Sequence, residues 1–545
     1  MSQVLNKIIV YLIFMAFGCT SKNIEKTDTP IRPNIIFIMA DDHAYQAISA
    51  YGEGLNSTPN IDRIAKEGAI FTRATVTNSI CAPSRAVLLT GKHSFKNGKV
   101  DNIQPFNWDQ DNFPKLMQAN GYATALIGKI HLDGQPQGFD YSMVLPGQGE
   151  YYNPDFMING ETKRIQGYVT DITTDLALDW LENGRDKEKP FLLLYHQKAP
   201  HRNWKPEEKY LTLFDDKEFT PPATFFDHQT DYQGRGTAAK EQEMEIDEIM
   251  RWGLDLMLEV DPYGGDSTNL KYDLKRFDVG QLNAWRAAFD PKNEAFLKAY
   301  GKLDEKALTL EKKREIATWK FNRYIKNYLR TIQSVDDGVG EVLDYLEANG
   351  LTENTIVVYT SDQGFYLGEH GWFDKRFMYE ESFRTPLLMK YPKEIKPGTS
   401  ISSLVQNLDF APTLLDYAGI QAPKEMQGES FRKLVSGEST DWRDAVYYTY
   451  YEYPAEHSVK RHYGVSTDRY KLIHFYYDID EWELYDLQED PHEMQNVYDD
   501  SKYADVREMM HKKLVEIRAK YGDSDANDKR YLDEYMEVYN RQNSK

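Results

Sequence analysis

Four apolar runs in this chain end alike, each handing over to charged or metal-capable side chains. Ile35 to Ala40 runs into Asp41 and Asp42, "YATALIGKIH" closes on Lys129 and His131, "PFLLLYHQKAPH" on His201, and "NTIVVYTSDQG" on Asp362 and Gln363. Continuous apolar residues without polar alternation suit strands buried on both faces, and helical patterns lie between them. A long helical pattern runs from about Trp319 to Asn349 and a shorter one lies near Leu408 to Tyr417, while "TPLLMKYP" adds another strand. Strands alternating with helices predict an α/β fold, a large central mixed, mostly parallel sheet flanked by helices, whose chemistry-bearing strand ends converge on one edge.

At 545 residues the chain exceeds what one hydrophobic core usually organises, so two lobes are expected. Residues 33–427 carry the alternating pattern. Within them about 214–315 are more polar, with "YQGRG" and "DPYGGDS", and read as a mostly helical insertion or lid. Residues 428–545 change character to aromatic strands such as "AVYYTYYEY" and "YGVSTDRYKLIHFYY", a smaller C-terminal antiparallel-sheet domain closed by a charged helix from about Tyr503 to Lys520. In "STPNIDRIAKEG", Thr58 is a candidate cap, Pro59 the first helical residue and Gly68 the stop.

The formal charge of −21 argues against a nucleic-acid partner or general affinity for an anionic membrane, so an anionic substrate would need a local basic pocket. At the N-terminus, Lys7 precedes an apolar run from Ile8 to Gly18 that is short of the ~20 residues needed to span a bilayer. Residues 1–18 read as an export signal, and "AFGC" resembles a bacterial lipobox, which would make Cys19 the lipidated first residue of the mature chain and 19–32 a tether. That implies an exported protein, lipid-anchored in the periplasm, outer membrane or cell surface of a Gram-negative bacterium; a plain cleaved signal is the alternative. The only other cysteine, Cys81, sits in a motif of its own, so a disulfide is not expected.

Asp41, Asp42, Asp362 and Gln363 offer only oxygen donors, the preference of a hard cation such as calcium or magnesium. Arg85, Lys129, His131, His201, His370 and Lys375 fall on the same predicted edge and together suit a pocket for a tetrahedral oxyanion. Cys81 precedes Pro83 at the start of a predicted helix that runs to Leu89 and ends at Thr90 and Gly91. A helix N-terminus lowers a thiol's pKa, which favours an ordinary catalytic cysteine; a small buried core residue is the other reading from the residues alone.

Cys81-Ala82-Pro83-Ser84-Arg85 with Thr90-Gly91, followed in order by "GKIHLDG", "KAPH" and "SDQGFYLGEHGWFDK", resembles the signature blocks of the formylglycine-dependent (type I) sulfatases, relatives of alkaline phosphatase. The match covers roughly Asn34 to Tyr391. The resemblance implies that a formylglycine-generating maturation enzyme oxidises Cys81 to formylglycine, with Arg85 stabilising it. It implies calcium on Asp41, Asp42, Asp362 and Gln363, and sulfate held or protons moved by Lys129, His131, His201 and Lys375. Gln363 departs from the Asn or His more usual in the family, though its amide oxygen can still coordinate a hard cation. The role of His370 stays open between pocket wall and substrate contact. The substrate implied is a sulfated polysaccharide or oligosaccharide, an algal polymer such as ulvan or carrageenan or a glycosaminoglycan. Arg202, Trp204, His457 and Arg461 are candidate sugar contacts, with Asn203 and Lys205 beside them. A phosphonate or phosphate monoester hydrolase of the same superfamily is an alternative, as is an inactive glycan-binding lipoprotein.

Overall fold

Ile35, Phe37 and Met39 pack into one hydrophobic cluster while Ile36, Ile38 and Ala40 pack into another, so the first strand is buried on both faces. At roughly 1.5–3 kcal/mol for each buried Ile, Phe or Met, this two-sided burial makes the strand the axis of the molecule. The computed structural model describes residues 32–158, 160–246, 256–257, 274–301, 307–454 and 457–543. Cys19, the signal and nearly all of the tether lie outside the described residues. Among those that are described, no helix is long and apolar enough to cross a membrane.

The main sheet has ten strands. Its five central strands, in spatial order Thr355–Ser361, Asn34–Ala40, Phe191–His196, Ala123–Lys129 and Tyr141–Leu145, pair in parallel. Antiparallel pairings flank them: Leu387–Lys390 against Thr355–Ser361 on one side, Asp155–Ile158 against Tyr141–Leu145 on the other. The parallel register sets Ala40 beside Ser361 and Met39 beside His196, with Gly128 beside His196 in turn. Asp41, Asp362 and Lys129 therefore leave the sheet at one edge, as the strand-end pattern requires.

A second sheet of four antiparallel strands, Ala445–Tyr450, His462–Thr467, Tyr470–Phe475 and Glu481–Asp486, forms the smaller lobe. The helix Ala504–Tyr521 covers it and a further helix, Asp525–Asn543, follows. The predicted insertion is turns and short helical pieces up to Lys240, then the helix Val279–Tyr300. The long helix spans Leu310–Ala348, so it begins inside the stretch assigned to the insertion. Thr58 does not cap the helix Pro59–Lys66. Its hydroxyl accepts from Ser49 N, while Asp336 of the long helix accepts from Asn60 N at 3.1 Å and Ile61 N at 2.8 Å, a cap supplied from far away in sequence.

Candidate active site

The helix Cys81–Thr90 begins after the extended residue Ile80 and stops where Gly91 adopts a left-handed φ of 62°. Cys81 and Arg85 lie one turn apart and so share a face. Arg85 is fully buried: its Nε donates to Asp362 Oδ2 at 3.0 Å, its Nη1 to the Lys129 carbonyl at 2.7 Å, and its Nη2 lies 3.3 Å from Asp41 Oδ1. One guanidinium thereby ties three strand ends together, a use of the planar fork that lysine could not serve.

Lys129 Nζ pairs with Asp41 and also donates to Gln148 Oε1. Lys375 Nζ bridges both oxygens of Asp42 at 2.6 and 2.7 Å and approaches Cys81 Sγ at 3.4 Å. His201 Nε2 lies 3.7 Å from Asp42 Oδ2, and its Nδ1 meets the Arg202 carbonyl at 2.5 Å. A carbonyl only accepts, so Nδ1 carries the proton and Nε2 turns its lone pair to the site. Gln363 Nε2 donates to Asp42. Asp42 has a left-handed φ of 67°; its N–H donates to Asp362 Oδ1 at 3.0 Å, and the Tyr328 hydroxyl donates to its carbonyl at 2.7 Å.

Burial raises carboxylates and lowers imidazoles, and neighbours decide the outcome. Burial works to raise Asp41, but Lys129, then His201 and Arg85, hold it well below the usual carboxylate range. Asp362 is pushed up to about 7, by burial against the pull of Arg85 and with the push of Asp41. Burial, then Lys129, drives His201 and His131 well below ordinary histidine. Cys81 corrects the expectation of a lowered thiol: burial pushes it up, Lys375 pulls it down, and the Asp41, Asp362 and Asp42 carboxylates push it further up. A thiol in that field stays protonated and is a poor nucleophile.

Carboxylate oxygens of Asp41, Asp42 and Asp362 lie within 4.8 Å of one another. Asp41 Oδ1 and Gln363 Oε1 are buried without a hydrogen-bond partner. Buried orphan acceptors converging among carboxylates fit a hard cation. Asp41, Cys81 and His201 also cluster within 4.8 Å; of the two groups, the all-oxygen one is the set a hard cation prefers.

Thus Cys81, Arg85, Lys129, His201, Lys375, Asp41, Asp42, Asp362 and Gln363 come together. His131 stands at the edge, half-buried, its Nε2 3.4 Å from the Gln148 amide that also meets Lys129. Three candidates are placed elsewhere. His370 is fully buried with Asp227 at 3.6 Å and Glu381 at 3.8 Å, its ring against Trp372, so it is neither wall nor substrate contact. Trp204 is wholly buried, donating to the Pro200 carbonyl at 2.7 Å and packing on Tyr324, so it offers no face to a sugar. Arg461 is likewise buried and donates to the Tyr453 carbonyl at 2.5 Å, a strut of the smaller lobe.

His457 and Arg202 do reach the rim through residues not anticipated. Asp374 Oδ2 lies 2.7 Å from Arg376 and 3.5 Å from Arg202. Arg376 Nη2 donates to His457 Nε2 at 2.5 Å, and His457 Nδ1 donates to Glu452 Oε1 at 2.5 Å. This chain of alternating charge joins both lobes beside Lys375. Asp374 and Arg376 flank Lys375 in "WFDKRF", so the signal was there in the string. Gln148 had none.

A buried cluster of cations and carboxylates around a helix-start residue, at the C-terminal edge of a parallel sheet, defines a hydrolase of tetrahedral oxyanion esters. The Sulfatase family model matches residues 33–420, and the model "N-sulphoglucosamine sulphohydrolase, C-terminal" matches 368–520. An N-acetylglucosamine-6-O-sulfatase of Bacteroides thetaiotaomicron is 49% identical over 516 residues, 93% of this chain and 90% of the relative. A solved structure in complex with its substrate D-glucosamine-2-N,6-O-disulfate superposes with a TM-score of 0.86 at 49% identity, covering 91% of this chain and 100% of the other. The phosphonate monoester hydrolase of Agrobacterium radiobacter, at TM-score 0.63 and 21% identity over 90% of this chain and 96% of its own, shares the fold alone. The chain belongs to the sulfatase family and is a sulfuric ester hydrolase.

Proposed function

We propose that the protein removes 6-O-sulfate from glucosamine residues of a glycosaminoglycan-type saccharide, with Cys81 matured to formylglycine and calcium held by Asp41, Asp42, Asp362 and Gln363. The observation that carries this reading is the near-full-length similarity to an N-acetylglucosamine-6-O-sulfatase. Arg202 and His457, half-buried and linked through Asp374 and Arg376 beside Lys375, are the polar groups placed to meet a hydroxylated ring next to the sulfate pocket.

Hydrated formylglycine would supply one hydroxyl to attack sulfur and a second through which sulfate leaves, while calcium would act as a Lewis acid on the sulfuryl oxygens. The chain's own residues do the rest. Lys375 stands beside position 81, Arg85 one turn on fixes the strand ends around it, and Lys129 and Lys375 offset the charge that spreads over the sulfuryl oxygens. His201, protonated at Nδ1, turns its Nε2 lone pair to the site, where it would take the proton that the attacking hydroxyl of residue 81 gives up and pass it to the departing alcohol. Half-buried His131, held well below ordinary histidine by desolvation and Lys129, stands at the pocket mouth beside Gln148.

Export with a lipid anchor on Cys19, and partnership with a formylglycine-generating enzyme, belong to the same proposal; membrane fractions that lose the protein on Cys19→Ser would support the anchor, and unchanged fractions would remove it. The substrate test is sulfate release from a panel: N-acetylglucosamine 6-, 4- and 3-O-sulfates, and ulvan and carrageenan oligosaccharides. Selective turnover of the 6-O-sulfate is expected. Faster release from any other member overturns the substrate assignment.

A further inference from the structure

Asp42 is a non-glycine residue held at a left-handed φ of 67°, a conformation that persists only where its surroundings over-determine it. The turn from Asp41 to Ala44 is fully buried, so its backbone polar groups need protein partners. Asp41 N donates to the Ala199 carbonyl at 3.2 Å, Asp42 N to Asp362 Oδ1 at 3.0 Å and His43 N to Ser361 Oγ at 2.8 Å. The Asp42 carbonyl and the Ala44 N–H are both met by one atom, the hydroxyl oxygen of Tyr328. It donates to the carbonyl at 2.7 Å and accepts from the N–H at 2.8 Å. A phenol has a single proton to give, so the two bonds fix the hydroxyl as firmly as they fix the turn.

Tyr328 reaches the turn from the long helix Leu310–Ala348 and is fully buried. Its ring stacks on Phe365, with centroids 5.6 Å apart and planes 8° apart, and meets Trp204 edge-on at 6.3 Å. Phe365 follows Gln363 closely in the chain, as Trp204 follows His201. One side chain therefore clamps the turn that carries Asp41 and Asp42 and braces the loops that carry Gln363 and His201. Held in this way, Asp42 presents its carboxylate to Lys375 at 2.6 and 2.7 Å and to the Gln363 amide. A backbone rotation at Asp42 would swing that carboxylate away from both. Tyr324, one helical turn earlier, supplies the contrast: it is equally buried, and its hydroxyl donates at 2.6 Å to the carbonyl of Tyr366, away from this turn.

We propose that Tyr328 is a positioning residue for the cation, its hydroxyl locking the Asp42 turn so that the Asp42 carboxylate faces Asp41, Asp362 and Gln363. The inference rests on the metal reading of that oxygen set. Tyr328 acts through Asp42 and contributes no ligand atom of its own.

The test is calorimetric titration of calcium into the full-length protein after chelator treatment, for wild type, Tyr328→Phe and Tyr324→Phe. Each substitution removes one buried hydroxyl and keeps the ring, so both should lower the melting temperature of the metal-free protein. Calcium affinity should fall about 10- to 100-fold in Tyr328→Phe, the usual effect of losing a group that orients a ligand, and stay within about threefold of wild type in Tyr324→Phe. Equal affinities of wild type and Tyr328→Phe overturn the proposal. So does an equal loss in both variants, which would mark a general effect of packing along the long helix. Should Tyr328→Phe not fold, Ser361→Ala, which removes the other hydroxyl holding this turn, must show the loss, and unchanged affinity there overturns the proposal. A wild type that binds no calcium would reject the metal reading and this inference with it, whereas calcium binding that Tyr328→Phe leaves unmoved would reject this inference alone.

Discussion

Gly128→Ala tests whether the catalytic edge depends on how closely two strands approach. Gly128 has φ of 103°, and a Cβ built there would stand 1.8 Å from the His196 carbonyl oxygen and 3.0 Å from Thr173 Cγ2. The strained φ alone costs about 1–3 kcal/mol for alanine. The carbonyl must also retreat by about 1 Å or more to reach contact distance, which the parallel pairing of Gly128 with His196 cannot absorb intact. A loss of roughly 4 kcal/mol or more is expected, at the diagnostic end of single substitutions. Lys129 comes next in the chain, and its carbonyl anchors Arg85. A displacement of ~1 Å there would cost about 100-fold in kcat/KM. Urea denaturation and sulfate-release kinetics measure both. Gly398 is the control: its φ is 74° with nothing within 4 Å of a Cβ, so Gly398→Ala should cost about 1 kcal/mol and leave activity intact. Equal effects of the two substitutions would refute the close-approach argument.

Three further outcomes follow from individual groups. Asp336, raised by burial to about 6 where it caps the helix Pro59–Lys66, binds its proton more tightly folded than unfolded. Its ionisation therefore subtracts up to about 3 kcal/mol above pH 6, a penalty that fades as pH falls from about 6 towards 4. Wild type should gain on Asp336→Asn across that window in denaturation series, and a flat difference would reject the linkage. Arg376→Met leaves Asp374 buried with only Arg202 and Lys375 nearby and breaks the contact to His457; kcat/KM on a sulfated glucosamine should fall about 100-fold by the usual cost of misplacing a positioned group, and unchanged kinetics would remove the rim from substrate recognition. Chelation should abolish activity and lower the melting temperature, with calcium restoring both; full activity in metal-free protein would reject the Asp41, Asp42, Asp362 and Gln363 site.

The sheet was readable because two-sided burial leaves no polar residue in a strand such as Ile35 to Ala40, and parallel pairing then places every strand end on one edge. Asp41, Asp362 and Lys129 followed from that alone. Burial supplied from far away in sequence was not readable. Nothing near His370 announces that Asp227 and Glu381 will enclose it, nor near Trp204 that Tyr324 will cover it. The same reason hid the cap that Asp336 gives to the helix behind Thr58. The Cys81 thiol misled in another way: the helix N-terminus acts on it, but burial and three converging carboxylates outweigh a partial dipole charge.

The account turns on the chemical state of position 81. Peptide mass spectrometry of the Cys81 segment, from protein co-expressed with a maturation enzyme, should show a loss of about 18 Da, thiol to aldehyde, with sulfate release rising in proportion to the modified fraction across preparations. A fully active preparation whose residue 81 is still a thiol would contradict it.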